Sequence, residues 1–258
     1  MKFSVLCSSS SGNATYLETA TTRILIDAGW NCRNLKGCLE EIGAVSESID
    51  AICITHDHVD HVSALPVIEK KRPVPIYAAD GTIEAIAEDY AGKGADDWPW
   101  MPFAPGCPFE VGDIRIHPFA VPHDCAEPVG YTIEAEGKRL GFVTDLGEAP
   151  VMVRRHLMEC DALVLEFNHD PLLLRNSGRP ESLIQRIRGR SGHLSNEQAC
   201  EVLSEVASPR LRHIVPAHLS GDCNTPGLVR EAIRSALEGT GLSPEVHLPP
   251  YPLAPIEL

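Results

Sequence analysis

The residues 55 to 61 read THDHVDH: three histidines and two aspartates within six positions, His56, Asp57, His58, Asp60 and His61. Histidines two apart in an extended segment project to the same side, so His56 and His58 can face one ion. Asp60 and His61, at the start of a helical pattern, turn toward a neighbouring position. One short loop can therefore serve two metals. Neutral imidazoles with carboxylates suit Zn²⁺ or Mn²⁺, and Fe²⁺ fits the same donors. No thiol pair is placed to close a structural zinc site. A single histidine is most often a packing or surface residue, but five polar, ligand-type side chains so close together directly behind an apolar strand are hard to explain as packing.

The elements that must position this loop are legible as periodicity. The run DAICIT, ending at Thr55, is a fully apolar strand, and a helix is expected from His61 to Lys71, which puts the loop at a strand's C-terminal end. Before it, β-like runs at 3–7, 15–19 and 23–27 form an antiparallel meander, followed by a helix near 34–42. After it come a strand at PIYA, a helix at 81–90 and a Gly/Pro-rich stretch, 91–108, read as a connection packed over the body. Strand runs resume at 114–121, 129–134 and 139–144. A helix at 150–158, the strand ALVLEF, helices at 182–188 and 196–207, the strand HIVPA and a helix at 228–237 follow. Meander followed by alternating units occurs twice, without a sequence repeat. The length of 258 residues fits one domain spanning 1–258.

Composition narrows the partners. A net charge of −14 disfavours diffuse attachment to a long polyanion. A phosphate-bearing substrate must meet a local basic patch, and one candidate exists: Arg175, Arg179, Arg186, Arg188 and Arg190 against the single Glu181. The bland alternative is a solvated helix face. Nine cysteines, none at CxxC spacing, suit reduced thiols in a cytoplasmic protein. No run approaches the roughly 18 residues a membrane helix needs, and the apolar stretch at the N-terminus is too short for a secretory signal. SSSSG at residues 8–12 lacks both the nucleophile-elbow context and the lysine of a phosphate-binding loop.

The HxHxDH pattern resembles that of the metallo-β-lactamase superfamily, and the resemblance extends over nearly the whole chain. It implies an α/β architecture, an αββα four-layer sandwich with mixed sheets and metals at one edge. It also implies later ligands: His123 in AVPHD, Asp145 in GFVTD and His218 in VPAHLS. One metal would be held by His56, His58 and His123 and the other by Asp60, His61 and His218, with Asp145 bridging. Asp27 in ILIDAG resembles the superfamily's early aspartate, which buttresses the histidine loop; a turn aspartate before Gly29 is the alternative.

Two divalent ions close together acidify a shared water and stabilise charge at the attacked centre, so hydrolysis is the expected chemistry. An aspartate at position 145, where β-lactamases usually carry cysteine, points to the branch of glyoxalase II, lactonases and phosphodiesterases. LEFNHD (165–170) and GHLSN (192–196) resemble paired loops of RNase Z-like phosphodiesterases. On that resemblance Glu166 and His193 join Asp60 as catalytic groups, the carboxylate keeping the imidazole cationic to bind phosphate or protonate a leaving alkoxide. The alternative for GHLSN is a helix N-cap at Ser195 or Asn196, and both readings can hold. Asn168 and His169 either touch phosphate or brace the loop.

Together with SSSSGNATYLE and HLSGDCN, these motifs resemble the YycJ/WalJ-like branch, which implies phosphodiesterase or nuclease activity, exonucleolytic cleavage among the expectations, on a DNA end, a short oligonucleotide or a small phosphodiester. Two readings compete: a glyoxalase II-like thioester or lactone hydrolase, and a non-catalytic metal-binding regulatory protein. Homodimer formation is left open by the sequence.

Overall fold

A computed structural model describes residues 1–258. Two seven-stranded mixed sheets lie face to face. The first begins with the expected meander, β1 (Lys2–Ser9), β2 (Gly12–Glu18) and β3 (Arg23–Ile26), then helix α1 (Cys32–Glu41). It continues with parallel strands β4 (Ala51–Cys53), β5 (Ile76–Ala79) and β6 (Trp100–Phe103), with helices α2 (Val59–Val62), α3 (Leu65–Lys71) and α4 (Asp80–Asp89) in the crossovers. The second sheet repeats the plan. Antiparallel β7 (Phe109–Val111), β8 (Ile114–Ala120), β9 (Val129–Ala135) and β10 (Lys138–Val143) lead to parallel β11 (Ala162–Glu166), β12 (His213–Ala217) and β13 (Glu245–Val246). Helices α5 (Val151–Leu157), α6 (Pro171–Arg175), α7 (Glu181–Arg188), α8 (Asn196–Val206) and α9 (Pro226–Leu237) lie between its strands in the chain, and β14 (Ile256–Glu257) crosses back to pair with β1.

Period-two alternation explains the layers. In β3, Ile24 and Ile26 point into the interior shared by both sheets, with Tyr131 and Val164 from the second. Leu25 points outward, beneath Leu35 and Leu39 of α1. β4 behaves likewise, Ala51 and Cys53 facing in and Ile52 out, so it is buried on both faces and reads as unbroken apolar sequence. On the far side Val153, Val202 and Ile233, from α5, α8 and α9, cover Leu163 and Ile214. The result is the αββα sandwich.

Two expectations need correction. The helix from His61 to Lys71 is two pieces, broken at Ser63 and Ala64, with Pro66 starting the second. The 91–108 segment is not merely a connection. Its residues 100–103 form the edge strand β6, where Pro102 is tolerated because only one side of the strand must pair. No helix is long and apolar enough to cross a membrane.

Candidate metal centre

The site lies where strands end. Asp27 follows β3, the THDHVDH loop follows β4, Asp145 lies just beyond β10, Glu166 ends β11 and His218 follows β12. Three of these residues have left-handed backbone: Asp27 (φ 61°), Asp145 (φ 57°) and His218 (φ 55°). Asp and His tolerate that region better than most residues, and here the surrounding contacts hold them in it.

Asp27 settles its two readings by serving as both turn residue and buttress. Its carboxylate accepts from Thr55 N at 2.8 Å and from Thr55 Oγ1 at 2.9 Å, and it faces His61 Nδ1 at 2.8 Å. That contact occupies Nδ1 and leaves His61 Nε2 directed at Asp145 Oδ2, 3.3 Å away, and Asp60 Oδ2, 3.6 Å away. Thr55 Oγ1 also lies 3.0 Å from His56 Nδ1. Burial disfavours a charge on His61, but Asp27 and Asp145 outweigh it and hold its pKa up at about 10. Burial, with the neighbouring His61, drives His56 the other way.

The imidazole nitrogens of His56, His58 and His123 converge. His56 Nε2 is 3.2 Å from His58 Nδ1, which is 3.3 Å from His123 Nε2. Donors about 2.0–2.1 Å from a tetrahedral ion stand roughly 3.3–3.4 Å apart, so this spacing suits a metal. A second, looser group lies beside it: Asp60 Oδ2 is 3.6 Å from His61 Nε2 and 4.0 Å from His218 Nε2, while His218 converges more tightly with Asp145, Glu166 and His193, and His61 with His56 and Asp145. Asp145 spans the two, with Oδ2 on His61 and Oδ1 3.9 Å from His123 Nε2. Asp145 Oδ2 and His218 Nε2 are buried with no hydrogen-bond partner. Unpartnered buried polar atoms are costly, and divalent metal bound in this cluster would satisfy them. The residues therefore fit divalent metal. No cysteine joins any of these groups.

Glu166 is fully buried and uses both oxygens. Oε2 accepts from Leu146 N at 3.0 Å and Leu194 N at 3.2 Å, while Oε1 meets His193 Nδ1 at 2.9 Å and His218 Nδ1 at 3.0 Å. Burial opposes its ionisation, but the two imidazoles, His193 foremost, hold it down at about 2. His193, 19% exposed, stands between the rings of His123 and His218 at 5.2 and 5.0 Å. Burial works against its charge, and Glu166 raises it nonetheless. Within GHLSN, Ser195 caps α8 in a reciprocal box with Gln198, as the capping alternative expects.

Asn168 donates to the carbonyl of His218 at 3.0 Å, and His169, buried and pushed down to about 4 by that burial, has its Nδ1 3.3 Å from Asn168 Oδ1. Both brace loops in this structure. Of the five arginines, Arg186 pairs with Asp124 at 2.5 Å, Arg190 with Glu148 at 2.7 Å and Arg179 with Asp222 at 3.2 Å. Arg175 and Arg188 are exposed and in no ion pair.

Two residues escaped the sequence reasoning. Asn13 Nδ2 lies 3.1 Å from Asp60 Oδ2 and 3.0 Å from His61 Nε2, and Ser8 Oγ accepts from His218 N at 2.7 Å. The SSSSGN turn thus braces both halves of the second group. The polar run SSSSGN between two apolar strands was the available signal.

A sandwich of two mixed sheets with clustered histidines and aspartates at its strand ends defines a metal-binding hydrolase. Residues 22–219 match the beta-lactamase superfamily domain. The chain is 33% identical over 251 residues to exodeoxyribonuclease YycJ of Bacillus anthracis, spanning 96% of this chain and 94% of that one. It is also 33% identical to exodeoxyribonuclease WalJ of Streptococcus pneumoniae, across 98% of this chain and 94% of the relative. The metallo-beta-lactamase fold protein YhfI of Bacillus subtilis superposes with a TM-score of 0.74 at 16% identity over 99% of both chains. This chain belongs to the beta-lactamase superfamily and is a metal-dependent hydrolase.

Proposed function

We propose that the chain is a two-metal phosphodiesterase that removes nucleotides from DNA ends. The carrying observation is the Glu166–His193 contact of 2.9 Å beside the metal-binding cluster, in a chain similar along its length to relatives named exodeoxyribonucleases. In this reading His56, His58 and His123 would hold one divalent ion and Asp60, His61 and His218 the other, with Asp145 set between the two groups. Zn²⁺ or Mn²⁺ held there would supply an acidified water and positive charge for the phosphate oxygens.

The chain's own groups do the rest. Asp27, Asn13 and Ser8 hold the second group's side chains and backbone in place, so little reorganisation is needed when charge builds up. Glu166 accepts a hydrogen bond from His193 Nδ1, which orients the ring and keeps it cationic. His193 Nε2 then carries the proton for the departing sugar oxygen. Arg175 and Arg188, free of ion pairs, are the groups of the basic segment left to meet further phosphates. Nine cysteines without a disulfide favour a cytoplasmic setting.

The test is incubation of protein reconstituted with Mn²⁺ or Zn²⁺ with end-labelled single- and double-stranded DNA and RNA, using Asp60→Ala as control. A ladder shortening from one DNA end, absent from the control, is expected. Turnover of S-lactoylglutathione with every nucleic acid intact would overturn the proposal in favour of a thioester hydrolase.

A further inference from the structure

A second group of metal-type ligands lies at the other end of β12. His213 opens that strand and His218 follows it, so five residues at about 3.3 Å each separate this group from the centre described above, roughly 16 Å. The parallel register sets His213 beside Glu245 of β13, and His247, two residues further along, returns to the same side. His247 N donates to Ile214 O at 2.9 Å, which fixes the height of its imidazole against β12.

His213 Nδ1 stands 3.1 Å from His247 Nε2, and Glu245 Oε2 lies 3.7 Å from the first and 3.8 Å from the second. The carboxylate is too far from either nitrogen for a hydrogen bond, yet nearly equidistant from both. These three separations approximate the roughly 3.3–3.4 Å edges expected around a tetrahedral ion with bonds of about 2.0–2.1 Å. Both rings are mostly covered, at 19% and 18% exposure, while Glu245 is 69% exposed and free to swing inward. Burial lowers the proton affinity of both imidazoles, which keeps them in the neutral form that ligates. Arg212 and Lys138 lie within electrostatic reach of His213 and oppose a cation there; Glu245 offsets them.

We propose that His213, Glu245 and His247 bind a divalent transition metal of the Zn²⁺ type, separately from the hydrolytic centre, and that the ion clamps β13 to β12. Two imidazoles and one carboxylate leave a fourth position to water. The clamp has a mechanical purpose. β13 is two residues long, is the last strand of its sheet, and begins the passage by which the chain returns to the first sheet as β14. A bound ion would tie down that passage where backbone pairing is shortest.

The experiment is metal analysis of wild type, His247→Ala and Glu245→Gln after dialysis against buffered free Zn²⁺, with thermal unfolding recorded across the same zinc series. Wild type is expected to retain one equivalent more than either variant and to show a larger zinc-dependent rise in Tm. Hydrolysis should stay unchanged in both variants. Equal zinc content in wild type and Glu245→Gln would overturn the proposal and leave the two histidines as a hydrogen-bonded pair. That comparison decides the matter even if His247→Ala fails to fold, because Glu245 is exposed and contributes nothing to the core.

Discussion

At the scale of single residues, Glu166 and His193 invite the same experiment but do not answer the same question. Glu166 accepts from two backbone amides and contacts two imidazoles, so its replacement by glutamine would put an amide where a buried acceptor is required. Such a variant would lose activity and architecture together. His193 is partly exposed, with its ring beside His123 and His218 and its Nδ1 3.6 Å from Asp145 Oδ1, and its side chain accepts from no backbone amide, so His193→Ala is the cleaner probe. It is expected to keep full metal content and an unchanged fold while kcat for phosphodiester cleavage falls by about 10²–10⁴, the usual range for a lost proton donor. A substrate with an acidic leaving group, such as bis(p-nitrophenyl) phosphate, should suffer much less, because its phenolate departs without a proton. Equal losses on both substrates would contradict the assignment of His193 as the proton donor.

At the scale of elements, the turn after β3 must pass very close to the start of α2. A Cβ added at Gly29 would sit 1.5 Å from Asp60 O and 2.6 Å from His61 N, so the backbones, not flexible side chains, would have to part. Gly29→Ala should therefore cost about 3 kcal/mol or more in urea unfolding, at the upper end of overpacking effects, and should weaken metal retention through Asp60 and His61. A loss below about 0.5 kcal/mol would mean that the two turns are not locked together. This coupling was invisible in sequence, since Gly29 reads equally well as an ordinary turn glycine. What periodicity did reveal were the strands buried on both faces, such as β4 and β11, and the helices with one apolar side. It missed β6, whose prolines disguise an edge strand, and the short β7, β13 and β14, which depend on pairing partners distant in the chain. The THDHVDH cluster was readable because histidines and aspartates have few structural uses at that density, whereas His123, Asp145 and His218 were legible only through the family resemblance. Ser8 and Asn13 were not, because serine and asparagine in a turn already have an explanation.

At the scale of the whole molecule, a net charge of −14 would confront the polyanionic substrate of the proposed reaction. Three of the five arginines of the basic segment are engaged by Asp222, Asp124 and Glu148, which leaves Arg175 and Arg188 as its unpaired cations. Affinity drawn from phosphate neutralisation should therefore be modest. Two contacts release few counterions, so the logarithm of DNA affinity should fall against the logarithm of salt with a slope of only about −1.4 on single strands and −1.8 on duplex. Arg175→Ala and Arg188→Ala should each flatten that slope by about 0.7 on single strands, while metal content stays unchanged. Binding should be measured with His193→Ala, which is expected to keep its metals while cleavage is slowed, so that little substrate is consumed. A slope steeper than about −4 would require a phosphate track elsewhere on the surface. A shallow slope fits an enzyme that grips a strand mainly at its end, where the metal centre supplies the charge that the rest of the surface lacks.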